Sequence, residues 1–269
     1  MTRFLILALV SAASAVDAIV IRDDVDDARY RVPASEFPAL VDMPGEGHGV
    51  LIASRWVVTA AHVVAPYPVI EEIVLGGIPR NVERVVTHPG FKGQARELFE
   101  QALATGDAAL LMARVAASDD IALLQLRRPV TDVTPAAVYR DTNEFGQIVK
   151  IIGKGATGTG ATGFEERSPR RTELRRAFNK ITSAHDRWFC YVFDHPSTAL
   201  PLAGIPGSGD SGGPALIEVK DQWLLAGLAS WGPVDGDARA FRPGLYGRTS
   251  CNVRLSHYSA WIAGVISAP

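Results

Sequence analysis

Short runs of β-forming residues separated by turn residues do most to limit how this chain can fold. Such runs occupy residues 50–52, 56–58 and 84–86 in the first half, and residues 147–153 and 222–227 in the second. Evenly spaced short strands are typical of antiparallel barrels. We therefore predict an all-β fold of two antiparallel β-barrels, with the functional site between them and a domain boundary near residue 128.

Residues 93–117 interrupt this β pattern. Apolar residues recur there at helical spacing, residues 105–107 predict a turn with a helix cap, and residues 108–116 predict a second helix. The apolar positions of the first helix are Ala95, Leu98, Phe99, Ala102 and Leu103. The sequence thus predicts an inserted helical hairpin, which either walls the functional cleft or decorates the surface.

The composition excludes several classes of function. Hydrophobic residues make up 47% of the 269 residues, so the chain can bury a substantial core. The 27 basic and 29 acidic residues nearly balance, which gives no electrostatic case for binding nucleic acid or an anionic membrane surface. A local basic run is interpreted as a solvated loop; it contains Arg167, Arg170, Arg171, Arg175 and Arg176. Metal-ligand spacings are missing from the sequence, and we expect a monomer without metal or cofactor.

The first 18 residues have the three parts of a secretory signal peptide: a basic start, an apolar segment at residues 4–10 and a stretch of small residues. Cleavage after Ala15 or after Ala18 fits the small-residue rule, and the second would begin the mature chain at Ile19. No later apolar run approaches the length of a transmembrane helix. We expect an exported protein, secreted or periplasmic, without a membrane anchor after signal cleavage.

The hexapeptide Gly-Asp-Ser-Gly-Gly-Pro at residues 209–214 presents a serine hydroxyl on an open turn, which makes Ser211 the candidate nucleophile. A hydroxyl needs a base, and His62 follows a strand-like run and two alanines, where an imidazole can face a cleft. The base needs an orienting group, and Asp120 directly precedes an apolar run that predicts a buried strand. Period-two alternation predicts that the adjacent Asp119 faces solvent.

Two other interpretations of glycine-rich segments fail on the sequence itself. Residues 209–213 also fit the nucleophile elbow of α/β-hydrolases, but that fold needs an acid and then a histidine after the serine. Only late carboxylates with His257 would remain, in a tail too short for the missing βα units. Residues 153–160 lack the Gly-Lys-Ser/Thr ending of a phosphate loop and are interpreted as a loop near the cleft.

The serine, histidine and aspartate segments, in this order, resemble the chymotrypsin/trypsin-like serine peptidases, and in particular a secreted, bacterial type with few cysteines. Residues 229–232 resemble that family's substrate-binding strand, residues 243–246 the back of its specificity pocket, and residues 258–262 its terminal helix. The resemblance implies two six-stranded antiparallel barrels: residues 1–18 would be the signal peptide, 19–128 the first barrel with the insert, and 129–269 the second barrel and terminal helix.

The resemblance implies a serine endopeptidase that hydrolyses peptide or protein substrates through an acyl-enzyme. Ser211 would attack the carbonyl carbon, His62 would carry its proton, and Asp120 would hold the imidazole. The backbone N–H groups of Gly209 and Ser211 would form the oxyanion hole. The competing function is a catalytically silent secreted binding protein on the same fold, and the intact triad favours the enzyme.

The same resemblance implies the substrate-binding residues, which are Ile205 and Pro206 at the pocket base together with Ser230, Trp231, Gly232 and Gly244. Because no aspartate lies at the base, we expect a preference for apolar or aromatic residues before the cut.

A free apolar N-terminus that pairs with the aspartate before the nucleophile is also implied by the resemblance. We expect Ile19 to pair with Asp210 and so to order the oxyanion loop; the alternative is that residues 19–21 form only a first strand. Cys190 resembles a family cysteine whose usual partner is missing. A Cys190–Cys251 bridge and two buried free thiols both remain open.

Overall fold

The structure is a computed structural model that describes residues 19–93, 95–164 and 173–268. The predicted signal peptide, residues 1–18, and Arg167, Arg170 and Arg171 of the basic run lie outside the described residues. The strands are β1 (Ile19–Ile21), β2 (Leu40–Asp42), β3 (His48–Ala53), β4 (Trp56–Thr59), β5 (Glu72–Leu75), β6 (Ile78–Thr87), β7 (Ala122–Leu126), β8 (Ile148–Gly153), β9 (Thr157–Thr159), β10 (Gly163–Phe164), β11 (Arg175–Lys180), β12 (Ser183–His185), β13 (Trp188–Val192), β14 (Gly204–Ile205), β15 (Pro214–Val219), β16 (Gln222–Trp231) and β17 (Thr249–Arg254). The α-helices are α1 (Ala61–Val64), α2 (Arg96–Thr105), α3 (Ala109–Ala116) and α4 (Ser259–Ser267).

The first half forms a closed six-stranded barrel in the order β2-β3-β4-β7-β6-β5. Its adjacent strands pair antiparallel, as in the β4–β7 pair, where Val58 lies opposite Leu123 and Thr59 opposite Ala122. All four of these residues are fully buried. A sheet closed on itself leaves no unpaired edge, so short strands rich in β-branched residues suffice to enclose this core.

The second half contains a seven-stranded antiparallel sheet in the order β11-β8-β15-β16-β17-β13-β12. A four-stranded sheet in the order β10-β9-β1-β14 packs with it, and the two sheets are linked by a bridge between Phe178 and Ala203. The all-β, chymotrypsin-like fold with a C-terminal helix is confirmed. The second half departs from the expected closed six-stranded barrel, because β12 extends its main sheet and β1 joins strands of the other.

The predicted helical hairpin is present as α2 and α3. Gly106 ends α2 with φ at +83°, a conformation that a side chain would strain. The Asp107 carboxylate accepts a 2.8 Å hydrogen bond from the N–H of Ala109, the first residue of α3. At the base of the hairpin, Lys92 N–H donates to Ser118 Oγ at 3.0 Å. The insert therefore leaves and re-enters the barrel at one point. None of the helices in the described part of the chain is long and apolar enough to cross a membrane.

Cys190 and Cys251 lie directly opposite each other on β13 and β17. Their sulfur atoms are bonded, and their Cα atoms are 4.2 Å apart. The bridge therefore joins two strands that already pair through their backbones.

Candidate active site

Strand register brings His62 and Asp120 to one place. Thr59 is the last residue of β4 and pairs with Ala122, the first residue of β7. Because the two strands are antiparallel, the chain that continues from β4 and the chain that enters β7 meet at the same end of the barrel. His62 follows that end by three residues, and Asp120 precedes it by two.

His62 and Asp120 make two hydrogen bonds with each other. Asp120 Oδ1 accepts from the His62 backbone N–H at 2.8 Å, and Asp120 Oδ2 lies 2.7 Å from His62 Nδ1. The hydroxyl of Ser230 also donates to Asp120 Oδ2, at 2.5 Å. The Asp120 carboxylate is thus buried but held by three donors, which fixes the imidazole on its Nδ1 side and leaves Nε2 for the cleft.

The electrostatics of this pair favour a carboxylate next to a basic imidazole. Burial opposes protonation of His62, but the charge of Asp120 and its hydrogen bond outweigh burial and raise the His62 pKa above its usual value. Burial likewise opposes ionisation of Asp120, yet the contacts with His62 and Ser230 lower the Asp120 pKa. The pair is therefore arranged to accept a proton at His62 while Asp120 stays ionised.

Ser211 lies beside the His62–Asp120 pair on a tightly packed loop. Its carbonyl accepts from the N–H of His48 at 2.7 Å, and the next residue, Gly212, donates to the carbonyl of Ala229 at 2.7 Å, one residue before Ser230. Within the described residues, no hydrogen bond joins the Ser211 hydroxyl to His62. Such catalytic hydrogen bonds are commonly long in structures without substrate and tighten when substrate binds.

The glycines around Ser211 are required by close backbone approaches. A Cβ on Gly212 would lie 2.2 Å from the His48 carbonyl, and one on Gly47 would lie 2.9 Å from Val63 and 3.1 Å from the Ser211 carbonyl. Gly209 has φ at +88°. Its N–H and that of Ser211 donate to no acceptor in the described ranges, so both are available to an oxyanion.

The side chain of Asp210, which belongs to this loop, is buried in the protein. Its carboxylate accepts from Gly155 N–H at 2.6 Å and Gly207 N–H at 2.9 Å. Burial raises the pKa of Asp210, while nearby His48 and the N–H groups of Gly207, Gly155 and Ile19 oppose that rise. Ile19 is itself buried, has φ at +63°, and belongs to a strand paired with β14 and β9. The Ile19 N–H is therefore close enough to the Asp210 carboxylate to lower the pKa of Asp210.

A cavity of about 280 Å³ opens next to Ser211. All the predicted substrate-binding residues line it: Ile205, Pro206, Ser230, Trp231, Gly232 and Gly244. No acidic side chain is among its lining residues in the described chain. A lysine or arginine side chain that entered this cavity would find no counterion there. No ion pair would then offset the desolvation cost of its positive charge.

A second cavity, of about 620 Å³, adjoins the first and shares Ser230 and Trp231 with it as lining residues. His62 and Asp120 line it on the barrel side, and Phe99 and Leu111 of the hairpin line the opposite side. The hairpin is therefore part of the cleft rather than remote surface decoration.

Sequence reasoning missed three residues near the site. His48 is buried, with Nε2 accepting from Lys154 N–H at 3.2 Å and lying 3.8 Å from the Asp210 carboxylate. Phe164 and Arg248 line the cavity beside Ser211. The one signal available was the position of His48 next to Gly49 in a buried strand, where a polar residue needs a partner.

The prediction that Asp119 faces solvent is wrong. Asp119 is buried, and its carboxylate accepts from Arg187 Nε at 2.6 Å and from the Tyr258 hydroxyl at 2.8 Å. Alternation does not apply because Asp119 and Asp120 lie before β7 in irregular backbone, where the Ile121 N–H donates to the Asp119 carbonyl at 2.9 Å. The expected solvation of the basic run is also wrong at Arg175, which is fully buried and forms two bonds with Asp27, at 2.7 and 2.8 Å.

Comparisons with known proteins agree with this geometry. The family model described as Trypsin matches residues 28–262. A tryptase from Mus musculus is 28% identical over 244 residues, which cover 80% of this chain and 76% of the tryptase. The solved structure of neuropsin, a serine protease expressed in the limbic system of mouse brain, has a TM-score of 0.64 and 19% identity and covers 88% of this chain and 98% of that one. Since the family model spans most of the chain, the protein belongs to the trypsin family and is a serine-type peptidase.

Proposed function

We propose that this chain is an exported serine endopeptidase in which Ser211, His62 and Asp120 form the catalytic triad. The observation that carries the proposal is the 2.7 Å contact between the half-buried His62 and the buried Asp120, beside the loop that holds Ser211. In the proposed reaction His62 Nε2 takes the Ser211 proton as Oγ attacks the substrate carbonyl, then returns it to the leaving amine. Water hydrolyses the resulting acyl-enzyme by the same proton route.

The oxyanion formed in each step would be held by the N–H groups of Gly209 and Ser211. Asp210 lies between these two residues in the chain. Because its carboxylate is buried, its negative charge is costly unless a cation is close. Cleavage after Ala18 would convert the Ile19 nitrogen into an ammonium at the same place. It would also remove the constraint on Ile19 φ, a strained value for a β-branched residue. Both effects favour an ordered oxyanion loop in the processed chain.

Substrate would bind along the edge formed by Ser230, Trp231 and Gly232. Strand β15 pairs with β16 only as far as Leu228, opposite Pro214, so the end of β16 has one unpaired side in the described structure. An extended peptide can add to such an edge through its backbone. The side chain before the cut would then enter the cavity lined by Ile205, and we expect apolar or aromatic side chains there.

The proposal is tested by the intact mass of the secreted protein before and after a fluorophosphonate probe. We expect a single adduct on a chain that begins at Ile19, its loss in Ser211→Ala, and its retention in Ser54→Ala, an exposed serine in the β3–β4 turn. An Ile19 chain without an adduct would instead support the non-catalytic binding protein. A peptide library cleaved chiefly after lysine or arginine would contradict the proposed pocket.

The role of Ile19 has its own test. A chain carrying one extra alanine before Ile19 cannot place an ammonium at Asp210, so we expect both the probe reaction and peptide cleavage to fall at least tenfold. Full activity of that chain would show that residues 19–21 serve only as a strand.

A further inference from the structure

The helical hairpin reaches across the cleft and touches the second half of the molecule at its base, its middle and its tip. The base of α3 is anchored where Trp188 Nε1 donates to the Ala116 carbonyl at 2.8 Å. The middle of α3 contacts the loop after β16, where the Val234 N–H lies 3.3 Å from Met112 Sδ. The tip is fixed by a backbone hydrogen bond of 2.8 Å from Ala238 N–H to the Gly106 carbonyl.

The contact at the tip is close enough to constrain the sequence. A Cβ on Gly106 would lie 2.6 Å from Asp237 Oδ1 and 2.9 Å from Arg239 Nη2. Residues 233–241, which we call the docking loop, directly continue the Ser230–Gly232 edge. The hairpin therefore meets the docking loop just beyond the edge on which the substrate is proposed to bind.

We propose that this junction closes the cleft on the side that holds the residues before the cut, so that the enzyme cuts substrates only close to their N-terminus. The inference rests on the proposed function, because it takes the direction of the substrate from the Ser230–Gly232 edge. A peptide antiparallel to this edge runs from the cut at Ser211 past Trp231 towards the docking loop. There it meets α3 at Val234, only two residues after Gly232.

The available length follows from chain geometry. An extended residue spans at most about 3.5 Å, so the edge and the two residues up to Val234 provide room for about four or five substrate residues. The space available to this segment is the 620 Å³ cavity between His62 and the hairpin. Phe99, Leu111 and Val115 line it together with Arg96 and Arg114. Because apolar surface predominates in this lining, the segment that fills it should carry mainly apolar side chains. The substrate class is thus a peptide or protein with a short, apolar N-terminal segment before the cut.

The first arm of the test uses the wild-type, fully processed enzyme. A diverse synthetic peptide mixture is digested, and the N-terminal products are measured by mass spectrometry. The preferred sequence is then made with four, eight and twelve residues before the cut, and the peptides compete in one reaction. We expect N-terminal products of no more than about five residues, and kcat/KM at least tenfold lower for the eight- and twelve-residue extensions. Equal kcat/KM for all lengths would overturn the inference.

The second arm opens the junction. Replacing residues 93–117 with two glycines is compatible with the fold, because Lys92 and Ser118 are already hydrogen-bonded. Ala238→Pro removes only the N–H that donates to Gly106, at the first position of a short 3₁₀ turn where proline is tolerated. Both variants should bring the ratio of kcat/KM for long and short peptides towards one. The matched control is Gln101→Ala, at an exposed position of α2 that does not line the cavity, and it should keep the wild-type ratio.

The failures of the two proposals differ. Labelling of Ser211 by a fluorophosphonate with length-independent cleavage would overturn the closed cleft and leave the triad intact. If labelling and cleavage are both missing in every peptide, the proposed function fails and the length limit fails with it. Labelling without cleavage of the short peptides would also contradict the closed cleft.

Discussion

The Cys190–Cys251 bridge should supply a large share of the stability of this chain. It closes a loop with a sequence separation of 61 residues. The loop-closure relation for a bridge of this length gives about 4 kcal/mol at 25 °C, through the lost entropy of the unfolded chain. Since whole domains are stable by only about 5–15 kcal/mol, the double variant Cys190→Ala/Cys251→Ala should unfold far more easily than the wild type.

The assay is thermal unfolding followed by circular dichroism, with urea unfolding as a second measurement. A loss of about 4 kcal/mol should lower Tm by roughly 8–16 °C in a protein of this size. The control is Ser183→Ala, which changes the residue opposite Cys190 on β12 without opening a loop. Its Tm should stay within about 3 °C of the wild type.

The variant should also keep its activity at 25 °C. Cys251 lies opposite Trp231 of the substrate edge, but the backbone pairing of β13 with β17 continues on both sides of the bridge. We expect kcat/KM within about threefold of the wild type. An unchanged Tm would refute the entropic argument, and a folded but inactive variant would show instead that the bridge positions the substrate edge.

Further predictions concern the charges of the site. Ser230→Ala removes a hydrogen bond to the Asp120 carboxylate, so kcat/KM should fall about 10- to 100-fold. Ser230→Thr keeps a hydroxyl and should retain most activity. An unchanged kcat/KM in Ser230→Ala would contradict this role. Because Asp120 raises the His62 pKa, the acid limb of kcat/KM against pH should have its midpoint above about 6.5, and a midpoint below pH 6 would argue against His62 as the base. Burial opposes ionisation of Asp42, but His48 and Lys154 lower the Asp42 pKa to about 2. The ionised carboxylate therefore contributes about 2 kcal/mol to the free energy of unfolding above pH 4, and this contribution is lost as the pH falls towards 2. Asp42→Asn should therefore lose less stability between pH 6 and pH 3 than the wild type, as measured by urea unfolding.

The sequence was most informative where a functional residue adjoins its own strand. His62 follows β4 and Asp120 precedes β7, and these two strands pair with each other. The strand pairing alone brings the two side chains together, so no other long-range contact is needed to predict their proximity. Ser211 was identifiable because glycines leave its hydroxyl unobstructed. The hairpin was predictable as two helices because helical periodicity is a local property.

Features that depend on distant contacts were not predictable in this way. The burial of Asp119 depends on Arg187, in the turn between β12 and β13, and on Tyr258, at the start of the terminal helix. The docking of the hairpin depends on a backbone hydrogen bond between Gly106 and Ala238, which leaves no pattern in either segment. The helical spacing showed which residues form helices, whereas the partner of the hairpin required three-dimensional contacts.

The glycine-rich run at residues 153–160 shows why composition alone misleads. A Cβ on Gly153 would lie 2.1 Å from Asp210 Oδ1, and a Cβ on Gly155 would lie 2.6 Å from the Ser208 carbonyl. The N–H of Gly155 also donates to Asp210. These glycines let one backbone segment pass directly beneath the loop that carries Ser211, and they supply a donor to its buried carboxylate. The anion that this run binds is therefore the protein's own Asp210 carboxylate. The glycines that give the run the composition of a phosphate loop instead allow it to pack against the proposed oxyanion loop.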